Sequence, residues 1–141
     1  MSADPLAPIV RRLFGNLRHA GRTTDSSAAG REIGLTTVHG AAGRAQRGTQ
    51  VRFALQCSAG RIIAVRYQAY GCPHTLAVCE WLAEELEAGR LRSIGAPADW
   101  CRTLDIPIVK LGRLLVVEDA LRAALQQIGE FGADWPENVV K

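Results

Sequence analysis

The sequence predicts an α+β domain, in which a small antiparallel sheet of about three strands is covered by an N-terminal helix and C-terminal helices. Three observations lead to this prediction. Apolar residues recur at helical spacing near the N-terminus, two stretches in the middle of the chain alternate between apolar and polar residues, and longer helical patterns follow them. The order of helix, strands and helices is typical of α+β domains.

The first element is a short amphipathic helix from about Leu6 to Leu17, where apolar residues fall at helical spacing. The stretch Gly21–Gly30 is rich in Ser, Thr, Ala and Gly and predicts an irregular connection. Residues 33–38 are a candidate strand. Residues 40–48 contain three glycines and two arginines with no large apolar group, so they predict a loop.

Two stretches of alternating polarity predict a β-hairpin. Residues 50–57 and 61–70 each alternate between apolar and polar side chains, and only the short break Ser58-Ala59-Gly60 separates them. A break of that length favours antiparallel pairing. The side chains expected on the apolar face are Val51, Phe53, Leu55, Cys57, Ile63, Val65, Tyr67 and Ala69.

Two helical patterns follow the hairpin. Pro73 suits the first turn of a helix, because that position needs no backbone donor, and Gly89 is a natural C-terminal stop. A short helical turn is predicted at 96–101, and a final helix runs from about Leu114 to Ile128, closed by Gly129. On the first of these helices three acidic residues are expected to face water, Glu80, Glu84 and Glu87.

Composition excludes membrane, collagen-like and disordered proteins. The 141 residues are 48% hydrophobic and 22% charged, which suits one globular domain over 1–141. No apolar run approaches the roughly 18 residues of a membrane-spanning helix. The basic pair Arg11-Arg12 follows the N-terminal apolar stretch, the reverse of a secretory signal, so we expect a cytoplasmic protein. The net charge of +3 is scattered, and we expect no nucleic-acid partner.

The best functional candidate is Cys72, one of four cysteines that form no Cys-x-x-Cys pair. Gly71 allows a sharp turn out of the preceding strand, which brings Cys72 to a helix N-terminus. The helix dipole and free N–H groups there stabilise a thiolate, which is both a nucleophile and a metal ligand. The alternative is a small buried residue at a tight junction.

The other candidate residues are weaker. Cys57 and Cys79 lie on apolar faces and are expected in the core, whereas Cys101 could be either packed or exposed. His74 follows Cys72 by two residues, a spacing at which helical side chains do not face each other. It reaches the site only if the first turn is distorted. His39 is interpreted as a surface residue, with a metal ligand as the alternative.

The chain resembles the NifU/IscU-type iron–sulfur cluster scaffolds, that is, the N-terminal domain of NifU, from about Ile9 to Ile128. Residues 15–21, Gly-Asn-Leu-Arg-His-Ala-Gly, are similar to the family's Asn-Pro-Arg-Asn-x-Gly signature, and Tyr70-Gly71-Cys72 is similar to its Tyr-Gly-Cys strand end. Residues 118–124 match the opening of its last helix. A five-residue segment is similar to the Leu-Pro-Pro-Val-Lys that a dedicated Hsp70-type chaperone reads in this family: Ile106, Pro107, Ile108, Val109 and Lys110.

The resemblance also identifies departures from the family's ligand set. Family scaffolds hold a [2Fe–2S] cluster with three cysteines, an Asp and a His, and only Cys72 matches a cysteine position. Arg47-Gly48-Thr49 aligns with the family's Cys-Gly-Asp, and Gly112-Arg113 aligns with its His-Cys. Arginine does not coordinate iron. If Arg47 and Arg113 lie near Cys72, they should lower the thiol pKa and favour an anion or a persulfide.

The resemblance implies a divergent scaffold-like protein of iron–sulfur cluster assembly, which is not expected to be an enzyme. Cys72 would bind iron, a [2Fe–2S] cluster or a persulfide, and two protomers could bridge a cluster through paired Cys72 thiolates in a homodimer. A cysteine desulfurase and the Hsp70-type chaperone are the implied partners. The alternative is a cluster-free interaction or regulatory module of the same machinery, and a thiol enzyme using Cys72 ranks third.

Overall fold

The computed structural model describes residues 6–21, 35–58, 61–91 and 94–130, so most of the predicted connection at 21–30 lies outside the described residues. The elements, in chain order, are α1 (Pro8–Phe14), β1 (Leu35–Arg44), β2 (Thr49–Ser58), β3 (Arg61–Tyr70), α2 (Pro73–Glu87), α3 (Pro97–Leu104) and α4 (Leu111–Glu130). Two short 3₁₀ turns, 45–47 and 108–110, precede β2 and α4.

The three strands form one antiparallel sheet in the order β1-β2-β3, which confirms the predicted α+β class and the hairpin. Phe53 on the central strand lies opposite Gly40 on one side and Tyr67 on the other. The helices cover one face: α2 packs on β3, α4 packs on β1 and β2, and α1 packs on α2. The buried apolar side chains of all these elements form one core.

The predicted loop at 40–48 is wrong for its first half, because β1 continues to Arg44. Gly40 explains the difference. A Cβ atom at this position would lie 2.2 Å from the carbonyl oxygen of Ala120 and 2.4 Å from the backbone nitrogen of Ala124. The glycine therefore lets β1 pack directly against the backbone of α4. Glycine often indicates a turn, but here it allows two backbones to approach closely.

One strand residue faces the opposite way from the prediction. The pairing between β2 and β3 shifts register between Gln56 and Cys57. This irregularity turns Ile62 inward, 7% exposed, and leaves Ile63 51% exposed on the open face. A prediction from periodicity assumes an unbroken alternation, so it cannot reveal a shift in strand pairing.

The helix boundaries differ from the predicted ones at several ends. Helix α1 has only seven residues, and α3 extends to Leu104. Helix α4 begins at Leu111 rather than Leu114 and runs through Gly129 to Glu130. The early start is not visible as periodicity, since its first turn carries Gly112 and Arg113 rather than apolar residues. Helix α2 begins at Pro73 and ends before Gly89, whose φ is +71°, as predicted.

The predicted water-facing position of Glu80 is wrong, because its carboxylate is fully buried and is the centre of a polar network. Oε1 accepts hydrogen bonds from the backbone N–H of His19 at 3.0 Å and from the hydroxyl of Tyr67 at 3.0 Å. Oε2 lies 2.6 Å from Nδ1 of His19. Glu84 and Glu87 are half-buried, and Glu87 contacts Nε2 of His19 at 2.9 Å.

The network attaches residues 19–21, the segment that follows α1, to the sheet. The backbone N–H of Tyr67 donates to the carbonyl of His19 at 3.1 Å, and the N–H of Gly21 donates to the carbonyl of Tyr67 at 2.7 Å. Burial and the neighbouring Glu80 carboxylate raise the pKa of the Tyr67 phenol, so the hydroxyl keeps the proton that it donates. Residues 19–21, β3 and α2 are thereby held in one arrangement.

We expect Glu80→Ala to lower the free energy of unfolding by about 3–5 kcal/mol, because His19 and Tyr67 lose their buried acceptor. Glu85→Ala on the same helix is the matched control, since Glu85 pairs with Arg90 at the surface and should cost under about 1 kcal/mol. Urea unfolding followed by circular dichroism at neutral pH measures both. Equal losses in the two variants would contradict the assigned role of Glu80.

Candidate functional site

The candidate site lies at one end of the sheet, where β3 passes into α2. Tyr70, the last residue of β3, is opposite Gln50 near the start of β2. Gly71 makes the turn, and a Cβ atom there would come within 3.2 Å of the Thr75 side chain, so glycine permits the close approach of the helix. Cys72 is the N-cap residue of α2.

The Cys72 thiol is half-buried, and its sulfur lies 3.5 Å from the hydroxyl oxygen of Thr75. Burial raises the pKa of the thiol, but three other effects outweigh it and hold the pKa below the ordinary value of 9.0. They are the hydrogen bond with the Thr75 hydroxyl, the backbone N–H groups of Thr75 and His74, and the positive charge of Arg113. The thiolate form is therefore stabilised relative to that of an ordinary cysteine, as the sequence predicts for a helix N-terminus.

A groove of about 840 Å³ lies between the β1–β2 connection and the first turns of α4. Neither Cys72 nor any described residue of α2 lines it, and the charge of Arg113 is what connects the groove to the Cys72 thiol. The groove is lined by the four residues that the resemblance aligns with the family's ligand positions, Arg47, Thr49, Gly112 and Arg113, together with two further cations, Arg44 and Lys110. The sequence motifs singled out the first four. Arg44 and Lys110 were missed as groove residues, because only the folded chain brings the two segments together.

The cations of the groove are not neutralised within the described ranges. No carboxylate oxygen of residues 6–21, 35–58, 61–91 or 94–130 lies within 4.0 Å of the charged groups of Arg44, Arg47, Lys110 or Arg113. Positive charges that converge on one concave surface create a potential that attracts anions. The groove is thus suited to an anionic ligand or to an acidic surface of a partner.

His74 is buried in the first turn of α2, with only 5% of its surface exposed, and its Nε2 atom has no hydrogen-bond partner in the described part of the chain. Burial lowers the pKa of this imidazole, and the charges of Lys110 and Arg113 lower it further. The charge of Arg113 therefore acts on both His74 and Cys72. His39 is exposed on β1, does not line the groove, and offers its backbone carbonyl to Gln127.

The three remaining cysteines are core residues. Cys57 and Cys79 are buried as predicted. Cys101, for which the sequence left both packing and exposure open, is buried as well. Burial raises the pKa of Cys57 to about 11 and raises the pKa values of Cys79 and Cys101 as well. All three thiols are inert compared with Cys72.

The segment that resembles the chaperone motif is divided between core and surface. Ile106 is buried and Lys110 lines the groove. Between them Ile108 is 62% exposed and Val109 is 81% exposed. Two large aliphatic side chains are thus presented next to the cationic groove.

Two turns along α2 from Cys72, sequence reasoning missed a second group of residues of the metal-ligating type. The ligand atoms of His19, Glu80 and Glu84 lie within 4.8 Å of one another. Both ring nitrogens of His19 already contact carboxylates, and Glu80 accepts from two further donors. The group is a satisfied structural network.

The lowered thiol pKa makes a direct prediction for alkylation. In the native protein, iodoacetamide should label Cys72 alone at neutral pH, and the rate should rise with an inflection below 9.0. Arg113→Ala should move that inflection upward, whereas Arg61→Ala, at the opposite end of β3, should not. Peptide mass spectrometry reads the labelled site. An inflection at or above 9.0 would show that the thiolate is not stabilised.

Comparisons with known proteins agree with this arrangement. The model of the family described as NifU-like N terminal domain matches residues 7–130, which include every described helix and strand. No curated protein matches the chain significantly. In the described residues no helix is long and apolar enough to cross a membrane. Since the match spans most of the 141 residues, the chain belongs to the NifU-like N-terminal domain family of iron–sulfur cluster assembly scaffolds.

Proposed function

We propose that this family member acts in iron–sulfur cluster assembly as a divergent scaffold that carries sulfur as a persulfide on Cys72. The observation behind the proposal is a thiol of lowered pKa at the start of α2, stabilised in part by Arg113, which lines a groove with three further cations that no described carboxylate neutralises. A persulfide is an anion that needs one thiol and positive surroundings, and this site offers both.

The donor set around Cys72 does not suit a [2Fe–2S] cluster bound by one protomer. Such a cluster needs about four soft anionic ligands. Among the described residues the groove contributes no cysteine, no carboxylate and no histidine, and its guanidinium groups cannot coordinate iron. Cys57, Cys79 and Cys101 are buried. These observations support a sulfur anion rather than a cluster as the species held at Cys72.

Loading of Cys72 would proceed by transfer from the persulfide of a cysteine desulfurase. The Cys72 thiolate attacks the outer sulfur of the donor persulfide, a sulfur–sulfur bond forms at Cys72, and the donor's own sulfur–sulfur bond breaks. The donor cysteine leaves as a thiolate with the bonding electron pair. No external oxidant or reductant is consumed. Arg113 stabilises the attacking thiolate and the negative charge of the persulfide product.

Anaerobic incubation with a bacterial cysteine desulfurase, cysteine and iron tests the proposal. The Cys72 peptide should gain the mass of one sulfur atom, while the peptides of the three buried cysteines serve as internal controls. No visible cluster absorption should develop. Cys72→Ser should abolish the gain, and Arg113→Ala should reduce its rate more than Arg61→Ala. An unmodified Cys72, or a stoichiometric cluster on the wild-type protein, would overturn the proposal.

A second candidate function is a cluster-free interaction module, favoured by the exposed aliphatic pair Ile108 and Val109. Large apolar side chains at the surface beside a charged rim are typical of contacts between proteins. In this function the segment Ile106–Lys110 binds the Hsp70-type chaperone of cluster assembly, and the cationic groove meets an acidic surface of the desulfurase.

The double variant Ile108→Ser and Val109→Ser tests the second function. It should weaken chaperone binding by about tenfold or more, since two buried aliphatic contacts are worth a few kcal/mol. Ile63→Ser is the matched control, because Ile63 is similarly exposed on another part of the surface. Isothermal titration calorimetry with the purified chaperone measures binding. Unchanged affinity of the double variant, or an equal loss in the control, would reject this segment as the contact.

A further inference from the structure

We infer that the groove between the β1–β2 connection and the start of α4 binds a diphosphate group, either as the free inorganic anion or as part of a larger phosphorylated molecule. Cys72 does not line this groove, so binding there is independent of the persulfide role proposed above. The ligand is held by charge and hydrogen bonds, and no bond in it is made or broken.

The positive charge of the groove originates in two stretches of the chain that lack acidic residues. Residues 33–79 contain five arginines and neither Asp nor Glu, and residues 106–117 are also free of both. Each stretch supplies two of the four cations that line the groove: Arg44, Arg47, Lys110 and Arg113. No carboxylate oxygen of the described ranges lies within 4.0 Å of these four charges. Their combined potential is therefore available to an anion that enters from solvent.

The number and type of these cations suit two phosphate groups better than one. A phosphate group carries about −1.5 to −2 charges at neutral pH, so a single one would leave about half of the positive charge unbalanced. Three of the four cations are arginines, whose planar forks of N–H donors bond to two phosphate oxygens at once. The volume of about 840 Å³ is within the range of small-molecule sites.

The lining of the groove also indicates which part of a ligand is recognised. Its apolar members among the described residues are aliphatic, Val109 and Val116, and none of its lining residues is aromatic. A nucleobase would therefore find no ring to stack on. Recognition is expected at the phosphate oxygens rather than at an organic group attached to them.

Thr49 is a second and independent indication of a polar ligand. Only 6% of this residue is exposed, and it lines the groove. Its hydroxyl forms no hydrogen bond with any residue in the described part of the chain. Hydroxyl groups of largely buried residues usually have a partner, in the protein or in ordered water. The Thr49 hydroxyl is thus a donor that a phosphate oxygen in the groove can use.

Two glycines shape the groove in different ways. At Gly43, whose φ is +84°, a Cβ atom would lie 2.3 Å from the carbonyl oxygen of Thr49 and 2.7 Å from Cγ1 of Val116, so glycine permits close packing. At Gly112 a Cβ atom would meet nothing within 4 Å. Glycine is unfavourable inside a helix, and packing does not require it at this position of α4. Its lack of a side chain keeps the groove open.

Isothermal titration calorimetry of the reduced full-length protein with inorganic diphosphate tests the site. Diphosphate should bind about tenfold or more tightly than orthophosphate. The double variant Arg47→Ala and Arg113→Ala should weaken diphosphate binding by about tenfold or more, because the attracting potential is lost. The matched control is Arg52→Ala with Arg61→Ala. It removes the same charge from exposed positions outside the groove and should bind as the wild type does.

Two single variants separate binding from folding. Gly112→Glu places a carboxylate in the groove and replaces glycine by a better helix former, so it should lose diphosphate binding while its melting temperature stays the same or rises. Thr49→Val keeps the shape of the side chain and removes its hydroxyl, which should weaken binding several-fold. Cys72→Ser should bind diphosphate as tightly as the wild type. Circular dichroism checks the fold of each variant.

The source of the diphosphate group is read from a second titration. The absence of an aromatic lining predicts that inorganic diphosphate binds at least as tightly as ADP, which would assign the group to a free anion. Tighter binding of ADP would assign it to a nucleotide, and either result supports the diphosphate site. A hexaglutamate peptide that binds more tightly than both would overturn the inference, because the groove would then recognise an acidic protein segment.

The remaining outcomes keep this inference distinct from the proposed function. A wild-type protein that does not bind diphosphate would overturn the inference, whether or not the desulfurase loads Cys72. Equal losses in the two double variants would reduce the effect to net charge and would also overturn it. If diphosphate binds but the desulfurase leaves Cys72 unmodified, the groove is an anion site and the proposed persulfide role is wrong.

Discussion

The buried carboxylate of Glu80 is the interaction on which the arrangement of the fold depends. It accepts hydrogen bonds from the backbone of His19 and from the hydroxyl of Tyr67, and it contacts the imidazole of His19. Three parts of the chain meet at this one group: the segment that follows α1, strand β3 and helix α2. A charge buried this completely is tolerated only when every bond is satisfied, so the network tolerates few alternative arrangements of α2.

The position of α2 in turn decides the chemistry of Cys72. The thiol caps the helix, and the hydrogen bond from Thr75 and the charge of Arg113 lower its pKa in spite of partial burial. The same helix keeps Cys79 in the core, where burial raises the pKa of its thiol. Two cysteines seven residues apart on one segment therefore have opposite reactivity. Solvation and local dipoles, rather than residue type, make the difference.

The residues that the resemblance aligns with the family's ligands support the proposed persulfide role. Arginines stand at two positions where the resemblance implies cysteines, and the fold places both in one groove with Lys110. Guanidinium groups do not coordinate iron and clustered cations attract anions, which supports the proposed persulfide rather than a cluster.

Much of the fold could be predicted because it follows from local patterns. Alternation predicted the hairpin, Pro73 and Gly89 marked the two ends of α2, and Tyr70-Gly71-Cys72 placed the thiol at the junction. The failures came from contacts between distant segments. Gly40 belongs to a predicted loop, but in the structure it packs against the backbone of α4. Ile63 is predicted to lie in the core, but the register shift leaves it exposed.

The sequence by itself determined the α+β class, the family and the one cysteine at a helix N-terminus, since each depends on residues that are close along the chain. Only the tertiary structure decided that Glu80 is buried, that His74 lacks a partner, and that Arg47 and Arg113 line a common groove. Burial and electrostatic coupling depend on distances in space between residues far apart in sequence. The charge that acts on Cys72, and with it the chemistry of the site, is therefore a property of the folded chain.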